Sequence, residues 1–100
     1  MADNNYRDYE LVYIGTPELD DATIEAINNR VISVVRAQGG DVDGIDLWGR
    51  RKLAYPIKNH FEGYYVLHRI QMAPSGTGAI DRALRFDENI LRYLLMLSDN

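Results

Sequence analysis

DVDGIDLWGRRKLAYPI, residues 41–57, is the stretch whose reading decides the fold. Val42, Ile45, Leu47, Leu53, Tyr55 and Ile57 supply apolar points along what reads as one long, irregular strand. Gly44 and Gly49 interrupt it, as glycines do at a bulge or a bend. Pro56 has no N–H to give to a ladder, which places the strand at the edge of a sheet. The same stretch carries three consecutive cations, Arg50, Arg51 and Lys52, and Lys58 follows just beyond it.

On the N-terminal side, YELVYI at 9–14 is a short β-branched and aromatic run closed by Gly15 and Pro17, hence a strand. A helix follows. Asp20 or Asp21 can cap it, and Glu25 complements the dipole in or near its first turn. Ile24, Ile27, Val31 and Val34 recur at spacings of three and four, and Gly39 and Gly40 end the element. On the C-terminal side, residues 58–63 read as a loop and YYVLHRIQM at 64–72 as a strand. Pro74, Ser75 and Gly76-Thr77-Gly78 read as a flexible turn. A short helix is expected over 79–86 with Ile80, Ala83 and Leu84 inward, and ILRYLLML at 90–97 closes the order as a strand. The order βαββαβ predicts one α+β domain over residues 1–100, a ferredoxin-like sandwich with two helices on one face of an antiparallel sheet. Its usual strand order, 4-1-3-2, puts the second strand at an edge, in independent agreement with Pro56.

A chain of 100 residues, 46% apolar, holds one core and is not a disordered tail. It has no cysteine, which excludes a disulfide framework, a thiolate metal site and a cysteine nucleophile. His60 and His68 are the only histidines, too few for a histidine-built metal site. The N-terminus has no apolar core of a signal peptide, and no run approaches the roughly 20 residues of a membrane span, so a soluble intracellular protein is expected. The net charge of −4 is unevenly spread. Residues 1–46 carry three basic and ten acidic side chains, whereas residues 47–61 carry four basic and none acidic. A local basic stripe on an acidic body can dock one polyanion site while the body repels indiscriminate binding. Cations on an edge strand also discourage strand-to-strand aggregation.

Both faces of the expected sheet are apolar. Period two puts Val66, His68 and Ile70 on one side and Tyr65, Leu67 and Arg69 on the other. Two helices cover only one face. If that is the side of Leu11, Val66 and Ile70, then Val12, Ile14, Tyr65, Leu67, Leu94 and Met96 form an exposed patch with Arg69 and Arg92 at its rim. A contiguous patch of that kind is the mark of a partner site. His68 reads as a satisfied core histidine. Trp48 reads as partly buried, with stacking on a base or ribose as the second reading. The Gly-Thr-Gly triplet lacks the rest of a phosphate loop. A single-stranded RNA binder of the RNA-recognition-motif type shares this strand order. Tyr65 fits its stacking position, but Val12 and Ile14 fail it in the first strand. A small phosphatase on the same fold needs an anion-cradling loop after the first strand, and here residues 15–21 are acidic.

Gly49-Arg50-Arg51-Lys52-Leu53-Ala54-Tyr55-Pro56-Ile57, followed by EGYYVL and the ending LRFDENILRYLLML, resembles the bacterial small-subunit ribosomal protein six family. The resemblance extends over nearly the whole chain. It implies a non-enzymatic, ribosome-bound cytoplasmic protein without cofactor, metal, membrane or small-molecule substrate. It further implies binding to ribosomal RNA in the central domain of the small subunit, beside small-subunit ribosomal protein eighteen. Arg50, Arg51, Lys52, Lys58 and Arg92 are the expected RNA contacts, since guanidinium and ammonium groups reach phosphate oxygens. Val12, Ile14, Tyr65, Leu67, Arg69, Leu94 and Met96 are the expected partner contacts. Some relatives carry a long acidic tail that this sequence lacks, and no role of that tail is carried over.

Overall fold

Strands and helices follow one another as β1 (Arg7–Gly15), α1 (Asp21–Ala37), β2 (Asp41–Ile57), β3 (His60–Met72), α2 (Thr77–Leu84) and β4 (Ile90–Leu97) in the computed structural model, which describes residues 5–98. The four strands form one antiparallel sheet in the order β2-β3-β1-β4. That is the expected 4-1-3-2 order seen from the other end, and the fold is the ferredoxin-like sandwich. β2 lies at an edge, where the missing N–H of Pro56 costs no ladder bond.

The sequence sets α1 locally. Asp20 is the cap, its Oδ1 accepting from the Thr23 N–H at 2.8 Å. Hydrogen bonding from the Thr23 side chain, and next from its N–H, holds the Asp20 carboxyl below the usual carboxylate range. Ile24, Ile27, Val31 and Val35 are buried. Val35 rather than Val34 takes the last inward position, and Val34 packs at the margin. Against this stripe lie Tyr9, Leu11 and Tyr13 of β1, then Val66, Ile70 and Met72 of β3, with Ile80 and Leu84 supplied by α2. Each fully buried aliphatic side chain contributes roughly 1.5–3 kcal/mol. A Tyr93 hydroxyl bond to Asp81, which Arg85 also grips, ties β4 to α2.

Two expectations for the connections are corrected. The Gly76-Thr77-Gly78 triplet is not a flexible turn. Pro74–Gly76 forms a 3-10 turn that runs straight into α2, so the helix spans Thr77–Leu84 rather than 79–86. Proline's fixed φ favours such a helical first turn, and the Thr77 hydroxyl donates to the Pro74 carbonyl at 3.0 Å. Nor are residues 58–63 a loop. Lys58 and Asn59, with φ of 48° and 68°, form a two-residue turn, and Ile57 already pairs with His60. Two successive positive φ values match the twist of a tight hairpin, and asparagine tolerates them.

Gly63 therefore sits inside β3, not in a turn. A β-carbon there would lie 2.3 Å from Ile14 Cγ2, so β1 packs where a side chain would stand. Gly63→Ala is expected to cost about 2 kcal/mol through overpacking. Urea unfolding checks this, and an unchanged midpoint would show that Ile14 yields.

Candidate nucleic-acid and protein interface

The sheet face away from the helices follows from the register. Val12 pairs with Leu67 and Leu94, Ile14 with Tyr65 and Arg92, and Glu10 with Arg69 and Met96. All seven expected partner residues thus fall on one face across three adjoining strands. Their exposure grades from centre to edge. Leu94 and Met96, on the edge strand β4, are 55% and 38% exposed. Val12, Ile14 and Tyr65 are half-buried. Leu67 is a correction: it is only 6% exposed, not part of an open surface. It lies on an interior strand between Val12 and Asp46, and neighbours on every side screen it even though no helix covers it. Arg69 is held by Asp46 at 2.7 Å, so that rim charge is already paired.

The cations divide between the two faces. Arg51 pairs in register with Gly63 on the open side, whereas Arg50 and Lys52 pair with Tyr64 and Glu62 on the helix side. Gly49 aims them. Its φ is +82°, and the register slips between Leu47 and Gly49, the signature of a bulge. The extra residue is Trp48, which alternation after the core-facing Leu47 places on the open face, and the bulge brings Gly49 onto that same face opposite Tyr65. There its ring stacks on Tyr65 with centroids 6.2 Å apart, and the Arg51 guanidinium lies 5.4 Å from its centre. Trp48 is 41% exposed and outside the core cluster, so the expected partial burial in the core is corrected: among the described residues, only this stack and the Arg51 contact hold the ring. Tyr65, the candidate base-stacking ring, is engaged by the same contact.

Beyond Lys52 the arm leaves the ladder until Ile57 and curls across the open face. Tyr55 reaches β4, where its hydroxyl accepts from Arg92 Nη1 at 2.7 Å and its ring lies under the same guanidinium. Lys58 is exposed at the turn. Trp48, Tyr55 and Asp46 are residues of this candidate face that the sequence reading underrated. For Trp48 the available signal was the adjacent Gly49. For Tyr55 and Asp46 there was none, since their partners are far away in sequence. A left-handed φ costs a non-glycine residue about 1–2 kcal/mol. Gly49→Ala should lose that much stability and alter the emission of the single tryptophan, as Trp48 leaves its stack. Unchanged emission in the folded variant would detach the bulge from the stack.

On the helix side, His68 is fully buried and its Nε2 lies 2.9 Å from Asn28 Oδ1. The same oxygen accepts from the Tyr13 hydroxyl at 2.7 Å. His68 Nδ1 has no partner. Placing the proton on Nε2 leaves a bare acceptor at Nδ1, which is less costly than a bare N–H. Burial pushes the imidazole down to about 4, and it also raises the Tyr13 hydroxyl above its ordinary value. His68 is thus a core histidine, as expected, but only its Nε2 is satisfied. Among the described residues, no three His, Cys, Asp or Glu side chains are grouped to hold a metal ion. No described helix is long and apolar enough to cross a membrane.

The Thermotoga maritima 30S ribosomal protein S6 superposes with a TM-score of 0.86 at 24% identity, over 93% of this chain and 88% of that one. The C-terminal domain of the MgtC protein from Mycobacterium tuberculosis superposes at 0.65 with 8% identity, over 100% of this chain and 96% of that one. Likenesses at such identities establish the fold, and a fold of this kind carries many functions. Sequence carries the family. The small ribosomal subunit protein bS6 of Mycobacterium leprae is 41% identical over 93 residues, covering 93% of this chain and 97% of that protein. The Mycobacterium tuberculosis protein of the same name is 40% identical over the same shares. The family model described as ribosomal protein S6 matches residues 8–96, which contain both the arginine-bearing bulge and the open sheet face. The chain therefore belongs to the ribosomal protein S6 family.

Proposed function

We propose that this protein is a structural, non-enzymatic component of the small ribosomal subunit that holds ribosomal RNA of its central domain jointly with small-subunit ribosomal protein eighteen. Membership in the S6 family supports the assembly, since the relatives are small ribosomal subunit proteins by name. The observation that carries the joint action is the apolar sheet face that no helix covers, with Leu94 55% and Met96 38% exposed beside the exposed cations Arg51 and Arg92. The partner packs on Val12, Ile14, Tyr65, Leu94 and Met96, with Leu67 as the buried floor beneath it and the Arg69–Asp46 pair at the rim. RNA phosphates meet Arg50, Arg51, Lys52 and Lys58 along the arm, with Arg92 near its base. Because strand alternation puts Arg50 and Lys52 on the face opposite Arg51, the arm grips a backbone from two sides. Such contacts position the RNA and carry little sequence information.

The chain as a whole is acidic, with a net charge of −4, so the partner must bring much of the positive charge. Each neutralised phosphate contributes roughly −0.7 to −0.9 to the slope of log K against log salt. Four arm cations and Arg92 then give this chain alone a slope of about −4.5 at most, and the pair a steeper one. The test is a salt series of RNA binding with and without protein eighteen, using a central-domain fragment of small-subunit RNA. Equal slopes, or no association with protein eighteen at micromolar concentration, would end this reading. Replacing Arg50, Arg51 and Lys52 by alanine should lower affinity by at least tenfold, and unchanged affinity would remove the arm from the interface.

A further inference from the structure

The helix side of the sheet is not fully covered. Between α1 and β2 runs a groove of about 450 Å³ that faces away from the apolar patch described above. Ile45 and Leu47 of β2 form one wall, and Leu47 is 56% exposed although its register partner, Val66, lies in the core. Ile32 and Asn28 of α1 form the other wall, and Tyr64 lies at the base. Asp21 and Glu25 stand on the lip, both exposed, with Glu18 and Asp20 exposed just ahead of them in the chain. Arg50, the nearest cation in register, sits opposite Tyr64 and outside the lining.

Three features specify an occupant. The walls are apolar, so the occupant brings an aliphatic side chain. The lip is acidic, so it brings positive charge, and a polyanion is repelled. β2 is the outermost strand and, among the described residues, has no strand paired on its outer side, so an extended backbone can pair along it. Asn28 adds a fixed polar point. It is 9% exposed, and its Oδ1 is turned inward to Tyr13 and His68. That leaves its amide NH₂ as the group able to donate to an occupant's carbonyl.

We infer that this groove binds an extended, basic segment of another protein, with an aliphatic anchor between Leu47 and Ile32, cations against Asp21 and Glu25, and a backbone carbonyl on the Asn28 amide. The site is separate from the Leu94 and Met96 face and is tested by different substitutions, so either reading can fail without the other.

The probe is a capped hexapeptide, Lys-Arg-Val-Leu-Arg-Lys, titrated into the labelled full chain at low salt and followed by amide NMR. Saturable shifts are expected at the Asn28 side-chain amide, Glu25, Ile45 and Leu47. Glu25→Lys and Leu47→Lys, both at exposed positions, should each weaken binding at least tenfold while leaving the circular dichroism unchanged. An equally charged peptide with the two aliphatic residues replaced by serine should bind at least tenfold more weakly. Equal binding of the serine peptide would reduce the effect to bulk charge and overturn the inference. So would shifts confined to Leu94 and Met96, or no shifts at millimolar peptide. Concentration-dependent shifts at Leu47 without peptide would assign the groove to a second copy of this chain and overturn it likewise.

Discussion

Acidification from pH 7 to pH 4 is expected to remove about 3 kcal/mol of folding stability through His68 alone. The imidazole is fully buried in a core of aliphatic and tyrosine side chains, and burial holds it down to about 4 against an ordinary value of 6.5. Above 6.5 the ring is neutral in both folded and unfolded chains, so it gives no pH dependence. Between 6.5 and about 4 the unfolded chain takes up a proton that the folded chain refuses, and stability falls as pH falls. Below about 4 both states are protonated and the loss is complete. That interval, at about 1.4 kcal/mol per pH unit, sets a full loss of about 3.5 kcal/mol, of which about 3 is lost by pH 4, where the folded ring is half protonated. The depressed carboxyls of Asp20 and Asp81 act elsewhere. Their stabilisation is present above the ordinary carboxylate range and is lost only as pH falls below it. Urea unfolding at pH 7, 5.5 and 4 measures the effect. His68→Leu removes the titrating group while Asn28 keeps its Tyr13 bond, and its stability should be nearly level over the same interval. Parallel losses in both proteins would show that His68 is not the source.

The double substitution Leu94→Glu with Met96→Glu should abolish pairing with ribosomal protein eighteen at the level of about 100-fold, or about 3 kcal/mol. Truncating or charging apolar anchors at the centre of an interface costs 2 kcal/mol or more, because the partner's apolar groups are then buried against a carboxylate. The substitutions leave the fold intact, since these side chains are 55% and 38% exposed on an edge strand and touch no part of the core cluster. Leu67→Glu is the poorer test. That residue is buried, and a carboxylate there would disturb the sheet itself. Leu97 provides the control: it is 51% exposed on the same strand, but its register partner is the core residue Tyr9, which places it on the helix side. Leu97→Glu should therefore pair normally. Calorimetric titration with protein eighteen reads both. Full affinity in the double variant would remove the open sheet face as the docking surface.

The sequence by itself determined the order of elements, the edge position of β2 and the two faces of the sheet. Each of these follows from a local rule. Period two assigns faces, spacing of three and four gives α1 its buried stripe, an aspartate at 20 or 21 caps it, and Pro56 excludes an interior strand. The bounds of β2 and β4 were legible for the same reason. The motif Gly49 to Ile57 also carried the family, because a string of nine side chains in fixed order holds more information than composition does.

Only the tertiary structure decided how those parts meet. Exposure depends on which residues surround a position in space, so Leu67 and Leu94 share a face and a pattern yet one is buried and the other open. The Trp48–Tyr65 stack, the Tyr55–Arg92 bond and the Asp46–Arg69 pair join residues 17, 37 and 23 positions apart. No periodicity spans such distances. The groove beside α1 is likewise a difference between what the sheet offers and what two helices can cover, a quantity fixed by packing in three dimensions.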